Sequence, residues 1–182
     1  MNHCGTCNIE TKRLLLRRFE IEDAAVMYHN WASDQEVTKY LTWPAYTSVD
    51  DAEKTLREWI FPYQNSSYYQ WAIVPKDLNE PIGSISVVGM DEKTEMMEIG
   101  YCIGRKWWHQ GITSEALKAV IDFLFDQVKA NRIQARHDVN NPNSGLVMKK
   151  CGMQYEGTMR CAAINNQGLC DMSYYAVLRS DR

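Results

Sequence analysis

Apolar and polar residues alternate along several short stretches of this chain, and each stretch predicts a strand with one face buried. Arg13-Leu-Leu-Leu-Arg17, a short apolar run between basic residues, reads as a first strand before them. Tyr69–Val74 and Ile82–Val88 follow, parted by the turn signal Pro75–Pro81, and the alternation resumes over Met96–Ile103. Strands joined this tightly predict an antiparallel meander.

Elsewhere the apolar period lengthens to that of a helix. Glu22–Trp31 and Ser48–Ile60 read as helices, the second with Ser48 as N-cap and Asp50, Asp51 and Glu53 in its first turn. Within Thr113–Lys129, residues Leu117, Val120, Leu124 and Val128 recur at helical spacing with Ala116 and Phe123 beside them. Ile121 and Phe125 widen that face, so this helix is expected to be covered on more than one side. Arg132–His137 predicts the next strand, and a strand–helix–strand passage of this length is a crossover between parallel strands. Asn141–Lys150 reads as a short helix opened by Asn-Pro. Met153–Met159 and Asp171–Leu178 form a closing pair, with Asn165–Gly168 as the turn signal. No repeat, linker or low-complexity segment interrupts the pattern. The expectation is one mixed α/β (α+β) domain over residues 1–182, with residues 1–12 frayed.

Composition narrows the class. At 182 residues with 45% hydrophobic side chains, the chain can bury a real core. No apolar run approaches the roughly 18 residues that cross a bilayer, and the N-terminus has no signal-peptide core, so a cytoplasmic location is expected. A formal net charge of −3 argues against a nucleic-acid surface. In such a setting Cys4, Cys7, Cys102, Cys151, Cys161 and Cys170 are expected to be free thiols. Cys4-Gly-Thr-Cys7 beside His3 is a CxxC, but no second ligand pair stands at a spacing suited to zinc, so no metal is expected.

The candidate chemistry concentrates in EIGYCIGRKWWHQGITSEAL, Glu98 to Leu117. A strand here enters a glycine turn and then a helix, whose first N–H groups have no helical carbonyl to bond. With the helix dipole, those groups form a ready phosphate site, and Gly111 lets the backbone approach an anion closely. An ordinary turn has the same local signature. The stretch is neither a P-loop nor a GxGxxG fingerprint. Between the first two helices lies the aromatic loop Val37–Thr47. Its Tyr40, Trp43 and Tyr46, together with Trp31 just upstream, are candidates to line a substrate pocket or to pack over the core.

Taken together, the segments TKRLLLRRFEIEDA, EPIGSI, EIGYCIGRKWWHQGITSEAL, DVNNPNSGLVMKKCGMQYEGTMR and DMSYYAVLR resemble the GNAT N-acetyltransferase superfamily, in its RimJ/RimL-type branch. The resemblance implies a mostly antiparallel sheet that splays at the cofactor site, with acetyl-CoA as co-substrate. The family's Gln/Arg-x-x-Gly-x-Gly/Ala motif falls on Trp108, His109, Gln110, Gly111, Ile112 and Thr113, departing at Trp108 and Thr113. The branch often carries glycine where His109 stands. The resemblance implies a pyrophosphate on the N–H groups of His109 to Ser114, and a pantetheine arm along Tyr101, Cys102 and Ile103 like an added strand. Arg105 and Lys106 either add charge there or are simply solvated.

Acetyl transfer needs a neutral amine, a donor to the oxyanion and a proton for the thiolate. Glu98, in an otherwise apolar strand, is the candidate base, directly or through water; a solvent-facing glutamate is the plainer reading. Ser144 matches the branch's N-x-x-S serine, thought to protonate the leaving thiolate, with Asn141 near the pantetheine. The same two residues suit helix capping. The implied acceptor is a primary amine, either a protein N-terminus or a small molecule such as an antibiotic, polyamine or amino acid. A non-catalytic CoA-binding module is the reading from another class. A homodimer is compatible with the sequence and required by no stretch of it.

Overall fold

The computed structural model describes residues 1–182. Its strands join one sheet in the order β1-β2-β3-β4-β5-β6-β8-β7. They are β1 (Ile9–Glu10), β2 (Leu14–Arg17), β3 (Gln70–Pro75), β4 (Gly83–Asp91), β5 (Met96–Ile103), β6 (Arg132–Asp138), β7 (Gln154–Asn165) and β8 (Gly168–Leu178). The meander β3–β4–β5 is antiparallel, with a bulge between Val87 and Gly89. The only parallel pair is β5–β6, which is short: Met96–Glu98 lie against Arg132–Gln134. Beyond Glu98 the strands part. β4 stays paired with β5 as far as Ile103, and β8 with β6 as far as Asp138. The sheet therefore opens into a V.

Helices cover both faces. The helical stretch Ile21–Ala32 centres on α1 (Ala24–Met27); α2 (Gln35–Thr38) follows it, and then α3 (Val49–Ile60). Ser48 and Asp51 close a reciprocal capping box on α3, a device worth about 1 kcal/mol. On this face Met27, Trp31, Ala52 and Leu56 pack against Ala72 and Val74 of β3. The other face carries α4 (Ile112–Phe123), extended by a wider turn over Leu124–Val128, and α5 (Pro142–Lys150). Leu117, Val120, Ile121, Leu124, Phe125 and Val128 are all buried there. At roughly 1.5–3 kcal/mol for each fully buried large side chain, this face anchors α4 and fixes where its N-terminus points.

Two expectations are corrected, and two short elements escape the pattern. The first residues are not frayed: Met1 packs against the core, Asn2 N–H donates to Val128 O at 2.6 Å and Gly5 N–H to Ser66 O at 2.7 Å, and the Trp71 indole donates to Cys7 O at 2.7 Å. These partners lie far along the chain, so no local pattern announces them. The closing hairpin is longer than its alternation suggests, because β7 continues through an irregularity between Met159 and Ala163, where Cys161 has φ 49°. Two short elements, β1 and α2, carry too little periodicity to be read; Asp34 caps α2 by accepting from Glu36 N–H.

Candidate active site

Strand β5 ends at Gly104, where a Cβ would run into Asn30 O and the Trp107 ring. The chain turns through Arg105–Trp107 and reaches α4 by way of two residues in the left-handed region, His109 at φ 60° and Gly111 at φ 73°. Gly111 is the N-cap and supplies no side chain. Glu115 N–H is the first in the helix to bond a backbone carbonyl, that of Gly111 at 3.1 Å. The N–H groups of Ile112, Thr113 and Ser114 are left to the cleft that these residues line. His109 holds this positive φ although it is not glycine, the residue that adopts it at least cost. Arg13, which sequence reasoning passed over, braces the turn: it donates to Gln110 O at 3.0 Å and pairs with Glu115 at 2.6 Å.

The second wall is the edge of β5 that β6 abandons. Gly104 N–H donates to Ile82 O, so by alternation the polar groups of Ile103 and Tyr101 face the gap. Trp108, which stands where the family motif has Gln or Arg, donates its indole N–H to Ile103 O at 2.9 Å. It thereby ties down one carbonyl of that edge. The far lip is α5. Ser144 Oγ donates to the Tyr101 phenol oxygen at 3.1 Å, and the phenol donates to Ser144 O at 2.9 Å. Burial, offset in part by the Ser144 hydrogen bond, holds the Tyr101 phenol far above its ordinary pKa, so it remains a neutral donor. Neither Asn141 nor Ser144 caps α5 through its side chain, which sets the helix-capping alternative aside.

These walls enclose a cleft of about 340 Å³. It gathers Tyr101, Cys102, Ile103, Trp108, His109, Gly111, Ile112, Thr113, Ser114, Asn141 and Ser144. Gln110 turns away and donates to Lys106 O. Tyr40 lines the cleft, as do Glu36, Lys39 and Lys150, which the sequence reading did not single out. The two lysines bring positive charge to the walls. Arg105 is paired with Asp34 at 3.0 Å and Lys106 lies over the Trp107 ring, so both are spent on the surface. Burial raises the Cys102 thiol despite its contact with Ser84, which disfavours the thiolate. No group of His, Cys, Asp or Glu side chains is arranged to hold a metal ion.

The remaining candidates lie elsewhere. Trp31 is 0% exposed and belongs to the core beneath α3; it cannot meet a substrate, because it sits on the inward face of its helix. Trp43 and Tyr46 tilt against one another at 5.1 Å and pack on the same core, outside the cleft lining. Glu98 is on the sheet face opposite Tyr101 and is 14% exposed. Its surroundings are not apolar: Arg136 binds one carboxylate oxygen at 2.9 Å and Gln134 donates to the other at 2.8 Å. Both partners come from β6, which the sequence places side by side with β5 only through the crossover.

An open sheet with one short parallel pair, a V-shaped gap and a glycine-capped helix aimed into it define an acetyltransferase fold. The sequence model of the Acetyltransferase (GNAT) domain matches residues 13–154, and the chain belongs to this family of N-acetyltransferases. An uncharacterized N-acetyltransferase p20 of Bacillus licheniformis is 32% identical over 171 residues, which cover 94% of this chain and 96% of the relative. The ribosomal-protein-serine acetyltransferase of Escherichia coli (strain K12) is 30% identical, over 75% of each chain. Among solved structures, the ribosomal alpha-N-protein acetyltransferase RimL in complex with coenzyme A matches with a TM-score of 0.85, covering 97% of this chain and 100% of that one. At 22% identity this last likeness speaks to the fold alone.

Proposed function

We propose that this chain transfers acetyl directly from acetyl-CoA to a primary amine, with a protein N-terminal α-amine as the acceptor. The observation that carries the cofactor assignment is the first turn of α4, whose free N–H groups open onto a cleft with lysines on its walls. The spared edge of β5 suits an extended pantetheine arm, as its polar groups face the gap. When bound, acetyl-CoA supplies the activated acyl group; the residues of this chain hold and orient it. Ser144 and Tyr101 keep two neutral hydroxyls at the cleft, fit to hand a proton to a departing thiolate. Glu98 is the proposed base; as it lies outside the cleft lining, it acts through water.

The acceptor follows from what this base can do. Glu98 is held by a guanidinium and an amide and lies outside the cleft lining. An α-amine, with a pKa of about 7.7–8.0, sheds its proton far more readily than a lysine-type amine at about 10.4. The site therefore suits the less demanding substrate. The name of the Escherichia coli relative supports the same class. Six free cysteines support a reducing, cytoplasmic setting. The test is CoA-thiol release across a panel of peptides with free N-termini, the same peptides with blocked N-termini and a side-chain lysine, and small amines. Turnover confined to the free N-termini is the expected result. Turnover of polyamines or aminoglycosides in preference to peptides would replace this acceptor.

A further inference from the structure

We propose that the tip of the β7–β8 hairpin is a tie-bar across the cleft, in which Asn165 and Asn166 are positioning residues that hold its two lips at a set spacing. The inference rests on the acceptor reading only for its effect on catalysis; the tie itself stands on geometry. Asn166 donates through its backbone N–H to Leu41 O at 3.1 Å, and through its side-chain amide to Thr38 O at 2.8 Å and Trp43 O at 2.7 Å. A side-chain amide has two N–H donors, and here both go to one loop. Trp43 and Tyr46 rest on the core and the Tyr46 hydroxyl bonds Thr55, but the backbone between Thr38 and Tyr46 makes few hydrogen bonds of its own. Leu41 N–H bonds Thr38 O, the carbonyls of Leu41 and Trp43 accept only from Asn166, and the next backbone donor is Tyr46, to Ala32 O.

The neighbouring residue reaches the opposite way. Asn165 donates to Asp138 Oδ2 at 2.7 Å, and the other oxygen of that buried carboxylate accepts from Asn140 N–H at 2.8 Å. Asp138 ends β6, and Asn140, Asn141 and Ser144 follow it along the far lip. Adjacent asparagines thus grip both sides of one opening. Between Thr38 and Trp43, two of the carbonyls that Asn166 holds, stand Tyr40 and Leu41, which line the cleft. That wall is left to face the acceptor once the α4 turn and the β5 edge are taken by the cofactor. The hairpin tip itself lines none of the cleft, so its influence runs through the loop it holds.

The test uses Asn166→Ala and Asn166→Asp, the latter keeping the shape but losing both donors, with Asn166→Gln as the conservative variant. Hydrogen exchange over residues 38–46 reads the tie directly, and is expected to quicken in the first two variants and recover toward wild type in the third. The KM for the amine is expected to rise about five-fold or more, as loss of roughly one net hydrogen bond implies, while kcat and the calorimetric Kd for acetyl-CoA stay within about two-fold. Unchanged exchange in the loop overturns the tie-bar. Faster exchange with unaltered amine KM overturns its role in acceptor positioning. A wild type that acetylates no amine counts against the acceptor reading, and exchange then still decides whether the hairpin holds the loop.

Discussion

The Ser144 hydroxyl and the Tyr101 phenol are joined across the mouth of the V, the serine donating at 3.1 Å and the phenol returning a bond to the serine's own carbonyl at 2.9 Å. The pair couples α5 to the unpaired part of β5. If these hydroxyls hand a proton to the leaving thiolate, Ser144→Ala and Tyr101→Phe each lower kcat by about 10²-fold, with acetyl-CoA affinity nearly unchanged. Because the groups share one hydrogen-bonded unit, the double variant should be little worse than either single one. Fully additive losses in steady-state kinetics would separate the two roles.

Glu98→Gln should lower kcat/KM for the amine by about 10²-fold while leaving the calorimetric affinity for acetyl-CoA intact. The bonds from Arg136 and Gln134 are made to the carboxylate as it stands. A rate that is insensitive to the change would assign Glu98 to bracing β5 against β6 at the point where they part.

Two left-handed residues precede α4, and they should respond to substitution in opposite ways. Gly111→Ala places a Cβ at φ 73° and is expected to cost about 1–2 kcal/mol. His109→Gly relieves the same conflict at φ 60° and should be neutral or stabilising. Denaturant midpoints of the two variants measure the difference.

Much of this architecture is legible in the sequence, for reasons that vary by element. Strand β5 has the bounds its alternation predicts, Met96–Ile103, and Ser48 opens α3 as an N-cap should, because both signals are local. The glycine turn into α4 is local too. What escapes is set by distant partners. Arg136 reaches Glu98 from another strand, Arg13 braces a turn that lies far ahead of it in sequence, and Asn166 holds a loop 123 to 128 residues away. Trp31 shows the converse error: an aromatic residue next to a promising loop is core, because helix phase decides its direction.

Glu115 gives the stability a defined pH dependence. Burial raises its carboxyl, but hydrogen bonds from Thr11 and Arg13, with the Arg13 charge, outweigh that and leave it below its ordinary value. A folded-state value below the unfolded one, about 4.3, means that the ionised form favours the native state. This contribution is present above the unfolded value and is lost as the pH falls through the folded one. Denaturation of wild type and Glu115→Gln should therefore differ at neutral pH and converge in acid. A gap of constant size would place the contribution in packing instead of charge.

The central claim, that acetyl-CoA binds on the α4 turn, is tested most directly by calorimetric titration of acetyl-CoA into the wild type and into Gly111→Trp. The wild type is expected to bind at micromolar concentrations and the variant to lose binding while still folded by circular dichroism. Absence of binding by the wild type, or equal binding by a folded Gly111→Trp, would contradict it.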